Sequence, residues 1–154
     1  MSSITTSEQI ITTWISKGDN EEDNFSKFIS YWVAFNCWLF TVTNEVRDKQ
    51  ALEVLFKREY LYKDFLGLVP QYESTLSKLI AVCPVENNRL NFSKDIKDMQ
   101  NFPEIIKVIY LIRCNLFHGT KIESSERDEE VVSASIPVLE FILKEVCAKN
   151  MLPQ

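Results

Sequence analysis

Residues 19–46 read DNEEDNFSKFISYWVAFNCWLFTVTNEV. Acids open the stretch, where negative charge suits the positive end of a helix dipole. Phe25, Phe28, Ile29, Trp32, Phe35, Asn36 and Leu39 then recur at spacings that share one helical face. The pattern predicts the central core helix of the fold. Asn36 is the polar exception on an aromatic-rich face. Because buried amides are normally hydrogen-bonded, Asn36 reads as a core residue bonded to a neighbouring helix, or as one that orients a site.

The remaining segments have the same helical character. Residues 5–18, TTSEQIITTWISKG, place Thr and Ser ahead of Ile10, Ile11, Trp14 and Ile15 and end on Lys-Gly, the start and stop signals of a short helix. From 48 to 69 a second amphipathic pattern, with Leu52, Leu55, Phe56, Tyr60 and Phe65, predicts one helix ended by GLVP. A further helix over 71–82 is stopped by Pro84. Residues 85–101, VENNRLNFSKDIKDMQN, are polar and lack periodicity, so they predict a long connection with at most one helical turn. Residues 102–119, FPEIIKVIYLIRCNLFHG, carry Pro103 near the start and Gly119 past the end, around a stripe of Ile105, Val108, Ile109, Ile112 and Leu116. Residues 124–149, SSERDEEVVSASIPVLEFILKEVCAK, predict a closing helix kinked at Pro137. No strand is predicted. The expected fold is an all-α, single-domain helical bundle over 1–154, with about five to seven helices and an up-and-down core.

Bulk properties narrow the function. The chain has 154 residues, 45% hydrophobic and 25% charged, with three glycines and five prolines, the composition of an ordinary globular domain. A net charge of -5 excludes a surface that attracts nucleic acid over its whole extent, so any RNA contact is local. Cys37, Cys83, Cys114 and Cys147 are widely spaced, and with a single histidine they make a zinc site improbable; no cofactor is expected. The longest apolar segment, YWVAFNCWLF, is too short to span a bilayer, and no signal-like start is seen. A cytoplasmic protein with reduced thiols and no membrane contact is expected.

The chemistry concentrates in RCNLFHG, residues 113–119, which holds the only histidine, His118. Each helical residue advances about 100°, so Arg113 and His118 would point roughly 140° apart on a continuous helix. They converge if the helix ends at Gly119, or if a second copy supplies the partner group. Arg113 has Ile109, Tyr110, Leu116 and Phe117 as its three- and four-residue neighbours. A guanidinium held there wants a fork-shaped anion: a phosphate, or a carboxylate from the acid-rich 126–130 segment.

YLIRCNLFHG, an R-x4-H motif at the end of a late helix followed by one closing helix, resembles the HEPN superfamily (higher eukaryotes and prokaryotes nucleotide-binding), especially its prokaryotic ribonuclease-like members, where RNxLFHG is common. The string at Trp32, Ala34, Phe35 and Asn36 is similar to the second helix of such domains. The resemblance implies an all-α bundle that dimerises so that two motifs line one cleft. It also implies metal-independent RNA cleavage, leaving a 2′,3′-cyclic phosphate and a 5′-hydroxyl. In that scheme His118 acts on the 2′-hydroxyl as general base or protonates the leaving oxygen, and Arg113 offsets the phosphorane's charge. Two positions depart from the pattern. Cys114 stands directly after the arginine, where active members usually carry Asn, Asp or His, with Asn115 one residue later. Thr120 stands where the toxin branch silenced by nucleotidyl transfer carries a tyrosine.

Asn115, Lys121, Tyr110, Asn36 and Lys107 are the candidate substrate-binding residues around Arg113 and His118. Each has a plain alternative: His118 a helix-end residue beside a glycine cap, Arg113 a structural ion pair, Tyr110 packing, Lys107 and Lys121 surface solubility. The expected function is an endoribonuclease of defence or toxin type, with RNA, a second copy of the chain and an antitoxin or defence protein as partners. A non-catalytic module binding a nucleotide or a protein, and a plain helical adaptor, are the competing classes.

Overall fold

The computed structural model describes residues 3–87, 90–117 and 126–151. Its architecture is an all-α helical fold: α1 (Ser3–Asn20), α2 (Asn24–Thr43), α3 (Asp48–Lys57), α4 (Lys63–Leu68), α5 (Glu73–Ala81), α6 (Phe102–Phe117) and α7 (Glu126–Phe141). Helix α2 begins where the acids predict. The Asp23 carboxylate accepts from the Ser26 backbone N–H at 2.9 Å and the Ser26 hydroxyl at 2.8 Å, and these bonds, the backbone one first, lower its pKa. The helix ends on Asn44, whose φ of 56° is the left-handed conformation that asparagine tolerates. Between the caps Phe28, Tyr31, Trp32, Phe35, Trp38, Leu39 and Val42 are all buried. Because these residues occupy more than one face, α2 is enclosed by α1, α3 and α7.

Two close fits fix that enclosure. Gly18 of α1 lies over Tyr31, so near that a Cβ on it would fall 2.5 Å from the ring. The Tyr31 hydroxyl meets Asp19 and Glu140, and Lys144 meets the same two carboxylates at 2.9 and 3.1 Å, joining the ends of α1 and α7 over α2. At the other end of α2 the Trp38 indole N–H donates to the Asn150 carbonyl at 2.8 Å, and the Asn150 amide is held in turn by the Val146 carbonyl.

Two expectations are corrected. The helix expected over 48–69 breaks at Arg58, whose φ and ψ of -112° and 71° leave the helical region, and it continues through a 3-10 turn (Glu59–Tyr62), α4 and a second 3-10 turn (Val69–Tyr72). A straight helix over that span would be about 33 Å long. The break instead leaves Tyr60 exposed and turns Leu61 and Tyr62 into the core. Tyr62 stacks on Phe102 at 4.3 Å between centroids, Phe65 meets both Phe102 and Phe141, and Tyr72 stacks on Phe141 at 4.1 Å. Aromatic pairing on α6 and α7 thus outweighs the continuity of the helix.

The second correction concerns the polar connection 85–101, where β1 (Val85–Glu86) and β2 (Ser93–Lys94) pair antiparallel, Val85 opposite Lys94 and Glu86 opposite Ser93. Buried Val85 and Ile96 anchor this short hairpin, and the Arg127 guanidinium donates to the carbonyls of Val82 and Pro84. Two-residue strands are too short to show alternation in a sequence. Pro137 lies inside α7, which runs on to Phe141 and then widens into a π-turn (Ile142–Cys147). Proline removes the N–H that would bond the carbonyl of Ser133, but Ser133 is exposed and water can take that bond.

The two helical glycines Gly18 and Gly67 make a test of this packing. Gly67 has nothing within 4 Å of a Cβ position, whereas Gly18 faces the Tyr31 ring. Overpacking costs about 1–3 kcal/mol, against a helix-propensity gain of about 1 kcal/mol for Gly to Ala. Gly18→Ala is expected to lower the urea midpoint and Gly67→Ala to raise it; the reverse order would contradict close contact between α1 and α2.

Candidate functional site

Helix α6 carries Tyr110, Arg113, Cys114 and Phe117 at i, i+3, i+4 and i+7, which brings them onto one face. That face meets Trp32 of α2 and Asp48, the first residue of α3, and Asp48 in turn meets Asn36, one turn beyond Trp32. The Tyr110 ring packs on Trp32 at 5.9 Å between centroids. The Arg113 guanidinium carbon lies 4.7 Å from the centre of the Phe117 ring, a cation–π seat. Phe117 is itself 49% exposed, so the seat is open on one side.

Asp48 links the face together. Its Oδ1 accepts from the Asn36 amide at 3.3 Å, and its Oδ2 lies 3.9 Å from a terminal nitrogen of Arg113. The first separation is a long hydrogen bond; the second is an ion pair without a hydrogen bond. With side chains 27% and 21% exposed, a pair of this length contributes about 0–1 kcal/mol. A tight structural arginine–carboxylate pair would be bidentate, at roughly 2.7–2.9 Å. Here the Nε of Arg113, the Oδ1 of Asn36 and the Nε1 of Trp32 are all buried without a hydrogen-bond partner. Leaving such an atom unpaired costs about 1–3 kcal/mol, and the three residues are linked through Asp48, which meets Asn36 and Arg113, and Tyr110, which packs on Trp32.

Tyr110 completes the face. Burial first, then its interactions with Cys114 and Asp48, push its pKa up to about 12, with Arg113 pulling the other way. At neutral pH it is therefore a neutral phenol beside an arginine.

The other candidates separate. Lys107 lies one turn before Tyr110 with its ammonium 5.5 Å from the centre of the Phe56 ring, at the margin of the same face. Asn115 is turned away: it is buried, and its amide donates to the Glu86 carbonyl at 2.8 Å, holding the hairpin to α6. It borders a cavity of about 180 Å³ that also takes in Glu86, Arg127 and Asp128. His118 and Lys121 lie outside the described residues. Among the described ion pairs, the carboxylate facing Arg113 is that of Asp48, and Arg127 pairs with Glu130 at 3.6 Å. Sequence reading missed Asp48 because an acid at a helix start is fully accounted for by the dipole. Among the described residues, no group of three or more His, Cys, Asp or Glu is placed to hold a metal ion, and no helix is long and apolar enough to cross a membrane.

The raised phenols predict how stability varies at alkaline pH. Tyr110 and Tyr31, the latter raised further by burial and by Asp19 and Glu140, keep protons that the unfolded chain releases near pH 10. The unfolded state then binds fewer protons, so stability present below pH 10 falls as the pH rises toward 12. Thermal melts across this range should show the fall, and Tyr110→Phe should flatten part of it; an unchanged slope in the variant would contradict the burial of this phenol. Comparison of the chain with known families, with curated proteins and with solved structures finds no match.

Proposed function

We propose that the chain is a metal-independent endoribonuclease of the HEPN type, a cytoplasmic protein of defence or toxin systems that acts as a dimer through the α6 motif. The observation that carries this reading is Arg113: a guanidinium seated on an aromatic ring, partly open to solvent and only loosely paired, five residues before the chain's single histidine. Such a group is suited to a phosphodiester, because it is oriented without being neutralised. In the reaction the substrate 2′-oxygen attacks phosphorus, the bond to the 5′-oxygen breaks, and His118 moves the proton, taking it from the 2′-hydroxyl or giving it to the leaving oxygen. Arg113 meets the negative charge that builds on the phosphorane. Lys107 and Tyr110 border the path of the strand, and an antitoxin or defence protein is the natural partner of such an activity.

One observation favours a second reading, a non-catalytic module that binds a nucleotide or a protein partner. The position after the arginine is Cys114, where active ribonuclease-like members usually carry Asn, Asp or His.

Cleavage of an end-labelled single-stranded RNA in excess EDTA separates the two. The expected result is product with cyclic phosphate ends, reduced about 100-fold or more in His118→Ala and to a comparable degree in Arg113→Ala. Equal background cleavage by pure wild type and both variants would remove the catalytic reading. Nucleotide binding that survives loss of His118 would then support the second.

A further inference from the structure

The loose contact between Asp48 and Arg113 is the least expected feature of the site. An arginine fixed only for stability would close on its carboxylate and satisfy its own Nε, whereas here the oxygen stands 3.9 Å off and Nε is buried without a partner. Asp48 has its own reasons to stay where it is. Asn36 donates to its other oxygen, and its place in the first turn of α3 sets its negative charge at the positive end of the helix dipole. The carboxylate is therefore anchored to α2 and α3, and the guanidinium to Phe117 of α6. Neither can travel to the other without losing its own support.

We infer that Asp48 is a positioning residue that aims the Arg113 guanidinium at a phosphate and, as a fixed negative charge beside it, competes with that phosphate for it. The ligand class is a phosphate monoester or diester oxygen. The phosphate takes the exposed side of the guanidinium, while the Asn36–Asp48 pair holds the other from behind. The inference rests on the proposed function for its substrate, RNA, but its physical content is the antagonism between one carboxylate and one phosphate at one arginine. Asp48 touches no substrate in this arrangement and acts only through Arg113. Removing its charge at constant shape has two opposed effects: the phosphate binds more tightly, and the guanidinium is aimed less well.

The test follows the Arg113 Nε–H resonance by NMR during titration with inorganic phosphate, in wild type, Asp48→Asn and Asp48→Glu, with Arg113→Lys to assign the signal. Coulomb repulsion between charges a few ångströms apart at a partly exposed site corresponds to a gain of about five-fold or more in phosphate affinity for Asp48→Asn. Asp48→Glu, which restores the charge, should return toward the wild-type value. Equal affinities in wild type and Asp48→Asn, both folded by their thermal melts, would overturn the inference, as would no response to phosphate in Asp48→Asn. In the RNA assay, Asp48→Asn should lower KM and kcat together; a fall in kcat with unchanged KM would reduce Asp48 to a structural support and also overturn the competition. If no variant cleaves RNA but the phosphate affinities split as described, the ribonuclease reading fails and the antagonism stands.

Discussion

Helix α2 is enclosed on most sides, and every polar atom it carries must be answered by another element or left unpaired at a cost of about 1–3 kcal/mol. Most are answered. Tyr31 reaches Asp19 and Glu140, Trp38 reaches the Asn150 carbonyl, and the Thr43 hydroxyl bonds back to the Leu39 carbonyl. These bonds determine where α1, α7 and the end of the chain lie. Trp32 Nε1 and Asn36 Oδ1 are the atoms left over, and both lie on the stretch of α2 that meets Tyr110 and Asp48. The same constraint that assembles the bundle therefore marks one junction as incompletely satisfied. In a fold whose other α2 contacts are so fully used, that departure is the strongest physical reason to look there for function.

How much of this could be read from the chain alone follows from the range of the signals. Helices α2 and α6 were legible because their information is local: acids and a cap at one end, an apolar period through the middle. The break at Arg58 was not, since it depends on Phe102 and Phe141, which are distant in sequence and visible as partners only once folded. The hairpin escaped for the opposite reason: two-residue strands hold too few side chains for a period, and what secures them, Asn115 and Arg127, comes from helices. At the site, Arg113, Tyr110 and Asn36 were legible as polar groups in apolar helices. Asp48 was hidden in plain view, because an acid in a first turn already has an explanation.

The competition between Asp48 and a phosphate turns on magnitude. Two unit charges 4 Å apart interact by about 1 kcal/mol in water and about 4 kcal/mol at an effective dielectric of 20. With both side chains about a quarter exposed, the pair lies between these limits. A dianionic or chelating phosphate can therefore outbid the carboxylate for the guanidinium, but only by making more than one bond to it. The 3.9 Å separation leaves the terminal nitrogens room for such bonds, whereas a tight bidentate pair with Asp48 would occupy them.

The geometry of α6 also decides which residue stands in for the one that would follow the motif arginine. Residues 113 and 115 are about 200° apart on a helix, and Asn115 is committed to the Glu86 carbonyl on the hairpin side. Its amide cannot be turned toward Arg113 without undocking β1. That leaves Cys114, about 100° from Arg113 and one turn beyond Tyr110 on α6. A polar group beside the arginine on this face is then the Tyr110 phenol, which its raised pKa keeps protonated at neutral pH and able to donate a hydrogen bond. It can help hold a phosphate oxygen. It cannot replace the charge or the general-base capacity of Asp or His, so the proposed ribonuclease reading rests its proton transfers on His118.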